Sequence, residues 1–154
     1  MAEIHTLKNE VATKTWNLVL LAAATGGIFP IMWLYRKAPI INKITKITGV
    51  NDLLIIWIAV CAGLCGVFSS DPTNELMIGI SGLLGLGNFV LYITAAFKMK
   101  TQIQEYALHE LKLDLPMNRF YTCIFNIFYI NYCINDMENV YRKHQIMSEA
   151  PQHA

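Results

Sequence analysis

Four stretches of the chain, residues 16–35, 53–70, 76–97 and 120–134, contain no Asp, Glu, Lys, Arg or His. A chain that confines every ionisable side chain to the gaps between apolar runs cannot spread charge over the surface of a water-soluble fold. The composition agrees, with 55% hydrophobic and 15% charged residues, against about 25% charged in ordinary soluble domains. A transmembrane helix needs about 20 apolar residues to cross the hydrocarbon core. The first three runs, of 20, 18 and 22 residues, meet that length. The fourth, FYTCIFNIFYINYCI, has 15 residues and two asparagines. It fits a span lengthened by its flanks, a re-entrant segment or an interfacial helix, and we read it as a span. The expected fold is an all-α integral membrane bundle of four transmembrane helices in one domain over 1–154, with tails at 1–14 and 137–154 and amphipathic surface connectors. Ala22, Ala23 and Ala24 would suit a signal-peptide cleavage site. Glu3 and Glu10 in the leader and continued hydrophobicity to Tyr35 favour an uncleaved first span.

Charge then orients the bundle. With four spans, the two tails and the loop at 69–75 carry Lys8, Lys14, Arg142 and Lys143. The opposite side carries Arg36, Lys37, Lys43, Lys46, Lys98, Lys100, Lys112 and Arg119. By the positive-inside rule the first and third loops face the cytoplasm and both termini lie outside it. In RKAPIINKITKITG the spacing of Ile40, Ile41, Ile44 and Ile47 predicts a helix lying along the membrane surface, started by Pro39, with Lys43 and Lys46 toward headgroups. The segment with Ile103, Leu108, Leu111 and Leu115 repeats this more weakly. A net charge of +1 with no long basic run gives no footprint for nucleic acid.

Helices in lipid associate through small residues and a few polar bonds. Ala59, Gly63, Gly66 and Ser70 form such a stripe in the second run; Ser81, Gly85, Asn88, Tyr92 and Ala95 form one in the third. The link SDPTNE forces these two runs into an antiparallel hairpin. Thr122, Asn126, Tyr129, Cys133 and Asp136 make a comparable stripe in the fourth run. Asn88, Asn126 and Asn131 are costly in lipid without partners, so they bond across helices or line a wet cavity. TGGIFPIMWLYRK, at 25–37, carries a break at Gly26, Gly27 and Pro30, either a packing notch or kink beside another helix or the unwound lining of a small site; we read it as the notch. Trp33, Tyr35, Arg36 and Lys37 then serve as interface anchors at the cytoplasmic end.

No motif supports catalysis. The four cysteines form no C-x-x-C, the four histidines are dispersed, and GISGLLGLG lies in an apolar run without a phosphate-binding context. No catalytic residue, cofactor or metal is assigned. Nor does any carboxylate lie inside a run, as proton-coupled transport usually requires.

Two further patterns stand out. Aligning GIFPIMWLYR, 27–36, on NIFYINYCIN, 126–135, matches Ile28 with Ile127, Phe29 with Phe128, Ile31 with Ile130 and Trp33 with Tyr132. With four spans, such a repeat would be inverted, as in many transporters. In addition, Thr25, Gly27, Ile28, Phe29, Trp33, Leu34, Tyr35 and Arg36, followed by Ile41 and Asn42, resemble the opening of a domain-of-unknown-function family of small bacterial multi-pass membrane proteins. The resemblance covers about the first 45 residues. It implies a bacterial inner-membrane protein and no particular activity. The expected function is that of a non-enzymatic interaction or structural protein, partnered by the bilayer and by itself or another membrane protein. The alternative is a small channel or transporter built on the inverted repeat.

Overall fold

The computed structural model describes residues 2–11, 13–71 and 73–149. The described residues form helices and no strand, in the order α1 (Ala2–Val11), α2 (Thr15–Ala24), α3 (Ile28–Thr45), α4 (Asp52–Phe68), α5 (Glu75–Glu110) and α6 (Arg119–Glu149). The protein is all-α. Among the described residues, α5 is the one helix long and apolar enough to cross a membrane; α4 is apolar but has 17 residues. No residue of the most apolar 18-residue stretch of α5 is buried. The core helix of a soluble domain would have its apolar face covered by neighbours.

α4 and α5 pack as the hairpin that SDPTNE demands. Asp71 accepts from the Thr73 backbone N–H at 3.0 Å and the Thr73 hydroxyl at 2.6 Å. The hydroxyl first, then the N–H, holds the exposed Asp71 carboxyl below the ordinary carboxylate range. Asn74 caps α5 by accepting from Leu76 N and Met77 N at 3.2 and 3.3 Å. Between the helices, the Cys65 thiol meets the Ser81 hydroxyl at 3.5 Å.

The first apolar run departs from expectation, because residues 16–35 do not form one helix. α2 ends in a Schellman motif, with Gly27 N bonded to Ala22 O at 2.9 Å and Gly26 N to Ala23 O at 3.4 Å. Gly26 and Gly27 have φ of 59° and 89°, a left-handed backbone that glycine adopts without a Cβ clash. Thr25 stitches the two helices together: its hydroxyl donates to Leu21 O at 2.7 Å and accepts from Phe29 N at 3.0 Å. The chain then reverses. On a straight helix Thr13 and Trp33 would be about 30 Å apart, yet Trp33 Nε1 donates to Thr13 Oγ1 at 3.2 Å. Lys37 likewise donates to Glu10 O.

Neither proline breaks the chain. Pro30 lies in the first turn of α3, where its missing N–H has no intrahelical acceptor to lose. α3 continues through Pro39 without interruption, so no separate surface helix begins there. Its isoleucine face is also used differently than expected: Ile41 is buried, with Ile40 and Ile44 packed against the protein core rather than along a lipid surface.

α6 folds back in the same manner. Asn126, at φ 53° and ψ −127°, divides it into arms at 119–125 and 127–149. A straight helix would separate Asn118 from Tyr129 by about 16 Å of rise, but Asn118 N donates to Tyr129 Oη at 2.9 Å. The rings of Tyr121 and Tyr129 lie 5.7 Å apart. The five-residue stripe expected on one straight helix is therefore divided between two arms.

Most of the buried side chains gather at one end of the molecule. Leu34 and Ile41 of α3, Met99 and Ile103 of α5, and Ile130 and Ile134 of the second α6 arm are fully buried, with Leu7 and Val11 of α1 closing over them. This packed base contrasts with the projecting α4–α5 pair. There Ile56, Trp57, Val60, Leu83, Leu86 and Val90 remain exposed.

A polar lock joins α3 to α5 within the base. Gln102 Nε2 donates to Asn42 Oδ1 and Thr45 Oγ1, each at 2.8 Å, and to Ile47 O at 2.6 Å. Gly49 N donates to Asn42 Oδ1 at 3.1 Å. A Cβ at Gly49 would lie 2.0 Å from Gln102 Oε1, so this glycine is required by the close approach of the lock. Gln102→Ala strips buried acceptors of their donor and is expected to cost about 1–3 kcal/mol, read as a lowered Tm in detergent.

Candidate functional site

The two fold-back points meet in one place. A cavity of about 730 Å³ is bounded by the α2–α3 turn, by residues 124–128 around the α6 pivot, and by the facing surfaces of α4 and α5. Gly26, Gly27, Asn88 and Asn126 all line it. Ala59, Ala62, Gly63 and Gly66 form its α4 wall, and Phe89, Tyr92, Phe125 and Phe128 contribute aromatic surface. Its volume lies within the range of small-molecule sites, about 300–1,000 Å³.

The glycines open this space rather than closing a helix contact. A Cβ added at Gly26, Gly27, Gly63 or Gly66 would meet nothing within 4 Å. The packing-notch reading of Gly26, Gly27 and Pro30 is thus corrected, since all three line the cavity. Gly63 and Gly66, of the small-residue stripe in the second run, line it too. Close packing of α4 on α5 falls instead to Ser81 and Gly85, both against Cys65; a Cβ at Gly85 would lie 3.9 Å from the sulfur.

Two polar atoms at the cavity have no satisfied role. The side-chain oxygens of Asn88 and Asn126 are closed off from solvent and have no hydrogen-bond partner among the described residues. Buried amide oxygens of this kind carry a desolvation cost of about 1–3 kcal/mol each. Both asparagines were expected either to bond across helices or to line a cavity, and the structure places them on the cavity. No carboxylate, amine, guanidinium, imidazole or thiol contributes to its lining among the described residues. Shape and neutral hydrogen bonding are therefore the means by which it can hold a guest.

Asn131 sits elsewhere and is fully bonded. Its Oδ1 accepts from Thr13 N at 3.1 Å, while its Nδ2 donates to Thr13 O at 2.6 Å and Thr15 Oγ1 at 3.1 Å. Asn135 Nδ2 adds a bond to Thr13 O at 2.9 Å. With Trp33 on the Thr13 hydroxyl, this clamp fixes the strap between α1 and α2 against both α3 and α6. Trp33 is consequently buried, at 3% exposure, and is not a lipid-facing anchor; Tyr35 and Arg36 are exposed and Lys37 is tied to α1. Thr13, Thr15 and Asn135 were not singled out from the sequence. The spacing of Asn131 and Asn135, one helical turn apart, was the available signal.

The internal echo gains a structural counterpart. Its alignment pairs Gly27 with Asn126, and these are the positive-φ residues from which α3 and the second α6 arm depart. Both departing helices start at the cavity and descend to the Thr13 clamp. They run in the same direction, so the two aligned segments are parallel rather than inverted.

No protein-family model matches the chain, no curated protein matches it, and no solved structure matches it.

Proposed function

We propose that this chain is a non-enzymatic membrane protein in which α4 and α5 span the bilayer, while the α2–α3 and α6 hairpins enter and leave through one face. The cavity between their tips is its site for a guest or partner. The observation that carries this reading is the fold-back of the two interrupted runs, recorded by the Trp33–Thr13 and Asn118–Tyr129 bonds. Each apolar arm then needs to reach only part of the way across, which suits the 10 residues of α2 better than a full crossing. Irregular backbone within a bilayer is tolerated where protein or a cavity covers it, and both pivots meet that condition.

Charge supports the same arrangement. With both termini on the side of the base, all 12 Lys and Arg residues fall on one face, while the link at 69–74 has no cation and holds Asp71. The positive-inside rule then puts the base and both termini in the cytoplasm. This is a sharper asymmetry than four spans give, and it replaces an external placement of the termini. The resemblance of residues 25–42 supports a bacterial inner membrane as the location.

Membrane-impermeant thiol labelling in intact cells tests the reading, using Asn9→Cys, Thr73→Cys and His144→Cys separately. Reaction at 73 alone is expected. Reaction at 9 or 144 from outside overturns it.

A solute pathway is the second reading, favoured by the convergence of two helical breaks beside Asn88. It requires flux through proteoliposomes that is lost with Asn88→Leu. Absence of flux for ions and small neutral solutes removes it.

A further inference from the structure

We infer that the cavity at the hairpin tips binds a neutral, membrane-soluble amphiphile through a hydroxyl or N–H group donated to the side-chain oxygen of Asn88 or Asn126, or to both where the guest has two donors. The assignment rests on the membrane placement proposed above and adds the chemical class of the guest.

The strongest pointer is the residue chosen for the second pivot. At φ 53° and ψ −127°, Asn126 occupies a region in which a non-glycine residue is strained by about 1–3 kcal/mol. The corresponding pivot of the first hairpin uses Gly27, which carries no such penalty. Asparagine at 126 therefore incurs strain that glycine would avoid. Its Oδ1 also forms no bond among the described residues that offsets this, being buried and unpartnered. Local folding does not account for the side chain. A ligand that donates to it does.

Asn88 supplies the second acceptor from the opposite wall. It lies near the middle of the 76–97 run, far from headgroups and from bulk water in the proposed arrangement. Its Oδ1 is in the same unsatisfied state. The rest of the lining sets the remaining properties of the guest. With no ionisable group present other than the Tyr92 phenol, a charged guest would be buried without a counter-charge, which is strongly unfavourable. Small residues on α4 and aromatic rings on α5 and α6 leave room for a flexible apolar body. A long-chain alcohol, a diacylglycerol or a reduced quinone shares this chemistry of one or two donors on an apolar body.

Photolabelling of the full-length protein in phosphatidylcholine vesicles tests the assignment with two diazirine probes, hexadecanol and its methyl ether, which lacks the donor. The alcohol is expected to label residues 22–32, 59–66 and 124–128 at least about fivefold more than the ether, and unlabelled hexadecanol should compete. Asn126→Gly removes the amide while keeping the positive φ, and Asn88→Ala removes the other within a helix. Together they should abolish most of that preference while leaving ether labelling nearly unchanged and Tm unchanged or raised, since glycine at 126 relieves the positive-φ strain. Equal labelling by the two probes means that the cavity is filled by acyl chains alone and overturns the inference. Selectivity that survives both substitutions does the same. So does exclusion of both probes with cross-linking between two copies. The thiol-labelling variants report the topology independently, so loss of the topology and loss of the binding class are read separately.

Discussion

Asn131→Leu is expected to lower stability by about 2–4 kcal/mol and to free the strap at residues 13 and 14. Leucine has the heavy-atom branching of asparagine but is bulkier and cannot replace its hydrogen bonds. Both backbone groups of Thr13 engage the Asn131 amide; the carbonyl retains a bond from Asn135, whereas the N–H loses its acceptor. The Asn131 site is fully buried, so water cannot substitute without opening the interface. Lys14 is already exposed, and once the backbone around it is free to enter a protease cleft, tryptic cleavage after it should accelerate together with a fall in Tm. Asn139→Leu on the exposed side of the same arm bonds only toward Asp136 and is expected to change stability by less than about 0.5 kcal/mol. Equal effects of the two substitutions would sink the clamp interpretation.

Replacing Gly26 and Gly27 together with leucine is expected to reverse the position of the amino terminus. Each leucine at positive φ costs about 1–2 kcal/mol, and the doubled penalty falls on a turn with no long loop to absorb it. A continuous helix over residues 15–45 removes this strain and extends for about 46 Å, ample for a crossing. In the proposed arrangement it would carry α1 to the far side of the bilayer and break the Lys8–Glu138 ion pair, 2.6 Å long in the folded protein. Asn9→Cys in this background should become reactive from outside, while His144→Cys stays protected. Unchanged protection at position 9 in a folded protein means that the glycines do not determine the reversal.

Much of this architecture was legible in the sequence, but direction was not. The runs at 53–70 and 76–97 located α4 and the apolar part of α5, and SDPTNE required the hairpin between them. Hydropathy, however, is the same for a helix that continues and one that doubles back, so 16–35 read as one span. The sign of the reversal lay in T-G-G itself, which supplies a Schellman end followed by a second positive-φ residue. Asn126 gave less warning, because asparagine in an apolar run signals a polar bond as readily as a pivot. Its alignment with Gly27 was visible, but only the left-handed backbone explains why those two positions correspond. Trp33 misled through a real regularity: tryptophan beside a basic pair commonly marks an interface. Here the strap at Thr13 covers it, a long-range contact that no local pattern encodes. The cavity was hidden for the same reason, since it is built from four separated segments.

The two fold-backs also give the protein an uneven profile across a bilayer. In the proposed arrangement both arms of each hairpin lie beside α4 and α5 in the cytoplasmic leaflet, whereas α4 and α5 alone reach the opposite one. The chain therefore displaces more lipid area on one side than on the other. A wedge of that shape favours membrane that bulges toward the base, and shallow insertions are known to be sensitive to curvature. In that arrangement, many copies side by side would add their wedges, and curvature of the surrounding membrane would rise with local concentration.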